Sequence, residues 1–189
     1  LDAAPAADSI LGAARRVDAG AVLAAGRIFQ TAVARLVDAA RGASEWPAQS
    51  IRLETEHGPI LLLADGPQRV AEPALLILSR TGDTVYEGDA GSANGLARRP
   101  LAAIDGAAAL VDRAGNDVYR VGSQGQGFAG WRGLGLLLDR AGQDRYFAGG
   151  REPDHERNPD RFMSLAQGFA IGLRPFAGGG VGALIDLEG

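Results

Sequence analysis

Five aspartates, Asp112, Asp117, Asp139, Asp144 and Asp186, stand at matching places in a repeated stretch of this chain. Carboxylates gathered by a repeat can hold a hard divalent cation such as calcium, which takes about six to eight oxygen ligands from side chains and turn carbonyls. Left bare at the strand spacing of about 4.8 Å, two of them repel by about 3.5 kcal/mol at an effective dielectric near about 20, so such a column must be neutralised. Arginine can do this instead of a cation, and Arg80, Arg113 and Arg140 form a column directly beside the aspartates. A third means is capping, in which each carboxylate accepts N–H groups of its own turn.

The aspartates belong to four segments that align without gaps. They are Leu76-Ile77-Leu78-Ser79-Arg80-Thr81-Gly82-Asp83-Thr84-Val85-Tyr86, Ala109 to Tyr119, Leu136 to Tyr146, and the shorter Ala183-Leu184-Ile185-Asp186-Leu187-Glu188-Gly189. The consensus is three apolar residues followed by Asp-Arg-x-Gly-x-Asp-x-Tyr. A second block, Gln126-Gly127-Phe128-Ala129-Gly130, recurs as Gln167-Gly168-Phe169-Ala170. Equivalent positions Ser79, Asp112, Asp139 and Asp186 are 33, 27 and 47 residues apart. The shortest interval suits one coil of short strands and tight turns, with loops inserted in the longer ones. The expected fold is therefore mainly β: a right-handed parallel β-solenoid of a few irregular coils, with Tyr86, Tyr119 and Tyr146 in a column and the apolar triplets stacked inward. The 28 glycines then fall at corners, and Gln126 and Gln167 form an amide ladder.

The segments Gly115-Asn116-Asp117-Val118-Tyr119 and Gly142-Gln143-Asp144-Arg145-Tyr146 resemble the turns of RTX-type calcium-binding β-roll repeats. That resemblance implies calcium between successive turns, with Asp112, Asp117, Asp139, Asp144 and Asp186 as its ligands, and an extracytoplasmic location, secreted or periplasmic. The family repeats every nine residues with paired glycines, whereas here the motif recurs once per long coil.

Other residues can also do chemistry. The polar insertion 151–161 holds Asp154, His155, Glu156 and Asp160, a carboxylate and imidazole set able to ligate metal or to act as acid and base, interleaved with Arg151, Arg157 and Arg161. Trp131 beside Phe128 can offer a platform for a sugar ring. Two histidines, neither near a Ser or Cys motif, give no support to a nucleophilic triad, and His57 reads as a turn residue. Gly178-Gly179-Gly180 lacks the Lys-Ser/Thr ending of a phosphate loop, and the chain has no lysine.

Ahead of the repeats, 1–46 reads as a helical cap on the 47–189 repeat domain. Ile10, Leu11, Ala14 and Val17 form one apolar set and Val22, Leu23, Ile28, Phe29, Val33, Leu36 and Val37 the next. Asp8-Ser9 is an N-cap signal and Gly42 a stop, and Gly20 and Gly26 weaken a single long helix, which leaves two helices or one with a break near Asp18-Gly20. The helix is expected to cover an open end of the stack, where unpaired strand edges invite association. Ile51, Leu53 and Thr55 alternate with polar residues before the turn His57-Gly58, the pattern of a hairpin.

With 189 residues, 46% of them hydrophobic, the chain can bury a core, and zero cysteines exclude disulfides. A net charge of −4 without a basic cluster, Arg15-Arg16 and Arg98-Arg99 being isolated pairs, argues against nucleic acid. No run of apolar residues suggests a membrane span, and the start without Met reads as a mature or trimmed product. The leading functional expectation is a non-enzymatic structural or binding module. Its alternatives are a parallel β-helix carbohydrate-active enzyme, pairing Asp154 or Glu156 with Asp144, and a subunit docking through its N-terminal helix. Expected partners are a protein or a second copy, at that helix or the stack ends, or a carbohydrate.

Overall fold

The structure, a computed structural model, describes residues 12, 15–16, 18–43, 45–88, 106–172 and 179–189. Ile10, Leu11, Ala14, Val17, the Asp8-Ser9 cap, Arg98-Arg99 and Gly178 lie outside the described residues.

Helix α1 runs from Ala19 to Arg41. It starts where the Asp18 carboxylate accepts the N–H groups of Gly20 and Ala21 at 2.8 and 3.1 Å, two donors that a helix start leaves without partners. It stops at Gly42, whose N–H bonds to the Ala39 carbonyl. Its 23 residues, with a mean hydropathy of 1.2 over the most apolar 18, are by length and composition enough to cross a membrane. In the fold, Val33 and Val37 are buried and Phe29, Leu36 and Ala40 pack beside them.

What they pack on is a sheet of six strands in the order β1, β2, β4, β6, β8, β12. These are Ile51–Leu53, Ile60–Leu62, Leu76–Leu78, Ala107–Asp112, Leu134–Asp139 and Val181–Asp186. From β2 onward every pairing is parallel, with the triplets in register: Ile77 opposite Leu110, Leu110 opposite Leu137, Leu137 opposite Leu184. Strand β1 instead lies antiparallel to β2, because the chain reverses at His57-Gly58. A second sheet, all parallel, takes β3, β5, β7 and β9: Arg69–Val70, Val85–Glu87, Val118–Val121 and Arg145–Ala148. Strands β10 (Pro153–Asp154) and β11 (Asn158–Phe162) form a small antiparallel hairpin from the insertion.

The chain is thus a mixed α/β structure and not a single β-solenoid of a few coils. The largest sheet mixes parallel and antiparallel strands, a long helix lies on it, and the insertion folds back on itself. The repeat motif occupies only eleven positions of each interval, so it dictates strand pairing without dictating what the intervening residues build.

A three-layer order explains the unbroken apolar triplets. Leu61, Ile77, Leu110 and Leu137 face the second sheet, where Val70, Tyr86 and Tyr119 meet them, while Leu78, Ala109, Val111 and Leu136 face α1. A strand buried on both faces has no polar side to alternate with. The triplets therefore do not all stack inward, and the helix covers a sheet face rather than the end of a stack. The second sheet has one wet face, hence the alternation in β7 of buried Tyr119 and Val121 with exposed Arg120.

The repeat also begins one copy earlier than the sequence suggests. Ile60 to Val70 pairs position for position with Leu76 to Tyr86, and a Cβ on Gly82 would lie 2.2 Å from the Gly66 carbonyl oxygen. The same close approach recurs between Gly115 and Gly82 at 2.3 Å and between Gly142 and Gly115 at 1.7 Å, so Gly82, Gly115 and Gly142 leave no room for a side chain.

Leu110, fully buried between the sheets, and Leu23, 59% exposed on α1, make a matched pair for denaturant unfolding. Leu110→Ala is expected to cost about 2–5 kcal/mol and Leu23→Ala within about 0.5 kcal/mol. Equal losses at the two positions contradict the layer order.

Candidate metal centre

The turns that follow β4, β6 and β8 stack, and their polar residues reach from one copy into the next. The Thr84 N–H donates to Asp117 Oδ1 at 2.5 Å, and the Asp117 N–H donates to Asp144 Oδ1 at 2.7 Å. One position earlier the direction reverses: the Asn116 N–H bonds to Asp83 Oδ1 and the Gln143 N–H to Asn116 Oδ1. Capping therefore operates mainly between copies. Asp112 by contrast caps its own turn, accepting from the Ala114 N–H at 3.1 Å.

The tyrosines add a second link that their spacing in the sequence did not suggest. Tyr86, Tyr119 and Tyr146 stack with centroids 5.0 and 4.8 Å apart and nearly parallel rings. Each hydroxyl reaches the aspartate that ends the strand of the following copy: Tyr86 to Asp112 at 2.5 Å, Tyr119 to Asp139 at 2.5 Å, Tyr146 to Asp186 at 3.2 Å. The signal that could have revealed it is the constant seven-residue offset between Asp112 and Tyr119 and between Asp139 and Tyr146. Burial holds all three phenols well above the ordinary range, which keeps them protonated as donors.

Of the five aspartates singled out, the structure brings three together. Asp117 and Asp139 are fully buried and Asp144 half-buried, and one carboxylate oxygen of each lies within 4.8 Å of the others. Asp117 Oδ2, Asp139 Oδ1 and Asp144 Oδ2 are enclosed and have no hydrogen-bond partner. These three carboxylates can hold a metal ion. Asp112 is equally buried, but Ala114 and Tyr86 engage both its oxygens, and Asp186 lies exposed beside Tyr146.

The arginine column does not neutralise the cluster. Arg80 turns outward to Asp65, with Nε 3.0 Å from Oδ1, and stacks over Trp46, while Arg113 donates to the Ala40 carbonyl of α1. Without a counter-charge, burial raises all four enclosed carboxyls above their usual range: Asp117 to about 8, Asp139 to about 7, and Asp112 and Asp144 upward as well. Neighbouring aspartates push in the same direction, and the hydrogen bonds from Thr84 and Tyr119 oppose it in part.

One copy earlier the same places are neutral. Ser79 stands where Asp112 and Asp139 follow, and Thr84 where Asp117 and Asp144 follow; before them stand Leu63 and Gln68. The stack thus runs from uncharged Leu63 and Gln68 through hydroxyls to carboxylates, and its unpartnered carboxylate oxygens lie where consecutive copies both carry the acid.

The remaining candidates lie apart from this cluster. Asp154 is half-buried in the hairpin, and His155 and Glu156 are exposed at its turn. Asp144 is one of the three gathered carboxylates, a group that among the described residues includes neither Asp154 nor Glu156. Phe128 is fully buried and Trp131 half-buried, so the two make no open sugar platform. Gln126 Nε2 bonds to the Tyr119 and Phe147 carbonyls and Gln167 is exposed, which removes the amide ladder. No protein-family model, curated protein or solved structure matches the chain.

Carboxyls whose folded pKa lies above the unfolded value of about 3.9 stabilise the fold while protonated in it, and that stability is lost as pH rises through the folded pKa. The metal-free protein is expected to melt at progressively lower temperature as pH rises above about 5, falling most steeply up to Asp139's value of about 7 and levelling off above Asp117's value of about 8. Asp117→Thr, which copies the neutral Thr84 arrangement, should flatten that fall. Melting in chelator across this range checks it; a midpoint that stays level or rises between about pH 5 and about pH 8 contradicts the picture.

Proposed function

We propose that this chain is a non-enzymatic structural or binding module whose repeat copies are clamped together by calcium at Asp117, Asp139 and Asp144. The observation that carries the reading is the set of three enclosed oxygens without partners, Asp117 Oδ2, Asp139 Oδ1 and Asp144 Oδ2, contributed by two consecutive copies. Buried polar atoms are almost always satisfied, and three convergent exceptions of one sign call for a shared cation.

The donor set favours calcium among divalent ions. It holds oxygen alone, with no imidazole or thiolate for zinc, and magnesium prefers near-octahedral sites in which it keeps several waters. Calcium accepts an irregular cage of oxygens. The likeness of Gly-x-Asp-x-Tyr to RTX-type turns supports the same choice. A site of this kind suits a compartment where calcium is abundant, so we place the module outside the cytoplasm.

A cation bound only by the folded state stabilises it by about 2.7 kcal/mol at about 100 times its dissociation constant. For a chain of this size that corresponds to a rise in melting temperature of about 5–10 °C. Thermal unfolding at pH 7.5 in chelator and then in millimolar calcium is expected to show this rise, with magnesium giving less. Asp139→Asn should remove the response while circular dichroism stays unchanged. An identical midpoint with and without calcium overturns the proposal.

A further inference from the structure

Strands β4, β6, β8 and β12 turn one face to α1, and one level of that face alternates large and small residues: Leu76, Ala109, Leu136, Ala183. Where the level holds a small residue, close packing requires the helix to supply the missing volume. At Ala109 it does so, because Val33 and Val37 are buried in the same cluster. Two turns earlier in the helix it does not. Gly26 stands there, and the Cβ it lacks would lie 3.1 Å from Val181 Cγ2 and 3.5 Å from Leu134 Cδ2, so the helix backbone nears the sheet without adding a side chain.

This leaves a cavity of about 200 Å³ between α1 and strands β8 and β12. Phe29, Leu134, Leu136, Val181 and Ile185 wall it together with Ala183, and the exposed Arg27 and Gln30 line its open side. An apolar cavity of about 150 Å³ stays dry and takes a benzene-sized guest, because water finds too few polar partners there. The volume here suits a single ring with a short side chain.

The open side sets the polar end of the guest. Among the described residues neither the Arg27 guanidinium nor the Gln30 amide has a hydrogen-bond or ion-pair partner, and no acidic residue lines the cavity. A guanidinium matches a planar carboxylate, to which it can donate twice. We propose that this cavity binds a small apolar monocarboxylate, its hydrocarbon over Ala183 and its carboxylate on Arg27 and Gln30. Inorganic phosphate has no apolar part to fill the space, and an acyl chain of membrane length exceeds it. The cavity opens on the sheet face opposite the one where Asp139 meets Tyr119, so the inference stands or falls separately from calcium binding.

The probe is phenylacetate, titrated in chelator into the full 189-residue protein labelled with ¹⁵N and followed by its amide shifts. Saturable shifts are expected at Gly26, Gly135 and Ala183, which line the cavity. Toluene, which lacks the carboxylate, should shift the same amides. Arg27→Gln changes an exposed side chain without a partner, and should weaken phenylacetate about tenfold while leaving toluene unchanged. Ala183→Leu fills the space and should abolish both. Since that variant can also disturb packing, Arg27→Gln serves as the independent check. Shifts that do not saturate by about 10 mM phenylacetate, a phenylacetate affinity unaltered by Arg27→Gln, or a dimer by gel filtration with mass detection that disperses on Ala183→Leu each overturns the inference.

Discussion

Parallel pairing in register sets each residue about 4.8 Å above its counterpart in the next copy, and the rest of the molecule answers to that spacing. Rings tolerate it well, as the stacked tyrosines at 5.0 and 4.8 Å show. Glycines permit it where turn backbones nearly touch. Apolar triplets profit from it, because a strand with the helix on one face and the second sheet on the other needs no polar side. Carboxylates alone are harmed by it, since stacking repeats a like charge at close range in a medium that screens poorly.

The chain meets that conflict in three ways along one stack. In its earliest copies it avoids charge, with Leu63 and Gln68, then Ser79 and Thr84. At Asp112 it admits a carboxylate and bonds both oxygens, one to the Ala114 N–H and one to the Tyr86 hydroxyl. At Asp117, Asp139 and Asp144 it leaves one oxygen of each without a partner and turns them toward one another. A buried carboxylate is stable only if protonated, paired or metal-bound, and Arg80 and Arg113 have been spent on Asp65 and on the end of α1. The electrostatic demand is therefore local to the last copies.

Much of this was legible from spacing. The alignment of Ser79, Asp112, Asp139 and Asp186 anticipated which residues would lie opposite one another, and β6, β8 and β12 pair them as aligned. The single β-solenoid did not follow, because identity among a few positions says how strands pair and not how β1, α1 and the 151–162 hairpin are arranged around them. The copy at Ile60 to Val70 was hidden because it keeps only the apolar run, which the core enforces, and Gly66, which its φ of +94° favours. The arginine column was misread because a strand-end side chain three carbons long can turn either way, and the nearer partners lay outside.

The amino-acid sequence by itself determined the repeat, its register and the places where glycine, tyrosine and aspartate must recur, since these depend on a chain pairing with its own near-copy. Only the tertiary structure decided which aspartates are satisfied. Whether an oxygen has a donor depends on the neighbouring copy's backbone and on the direction of a tyrosine hydroxyl, and neither is a property of the segment that carries the acid.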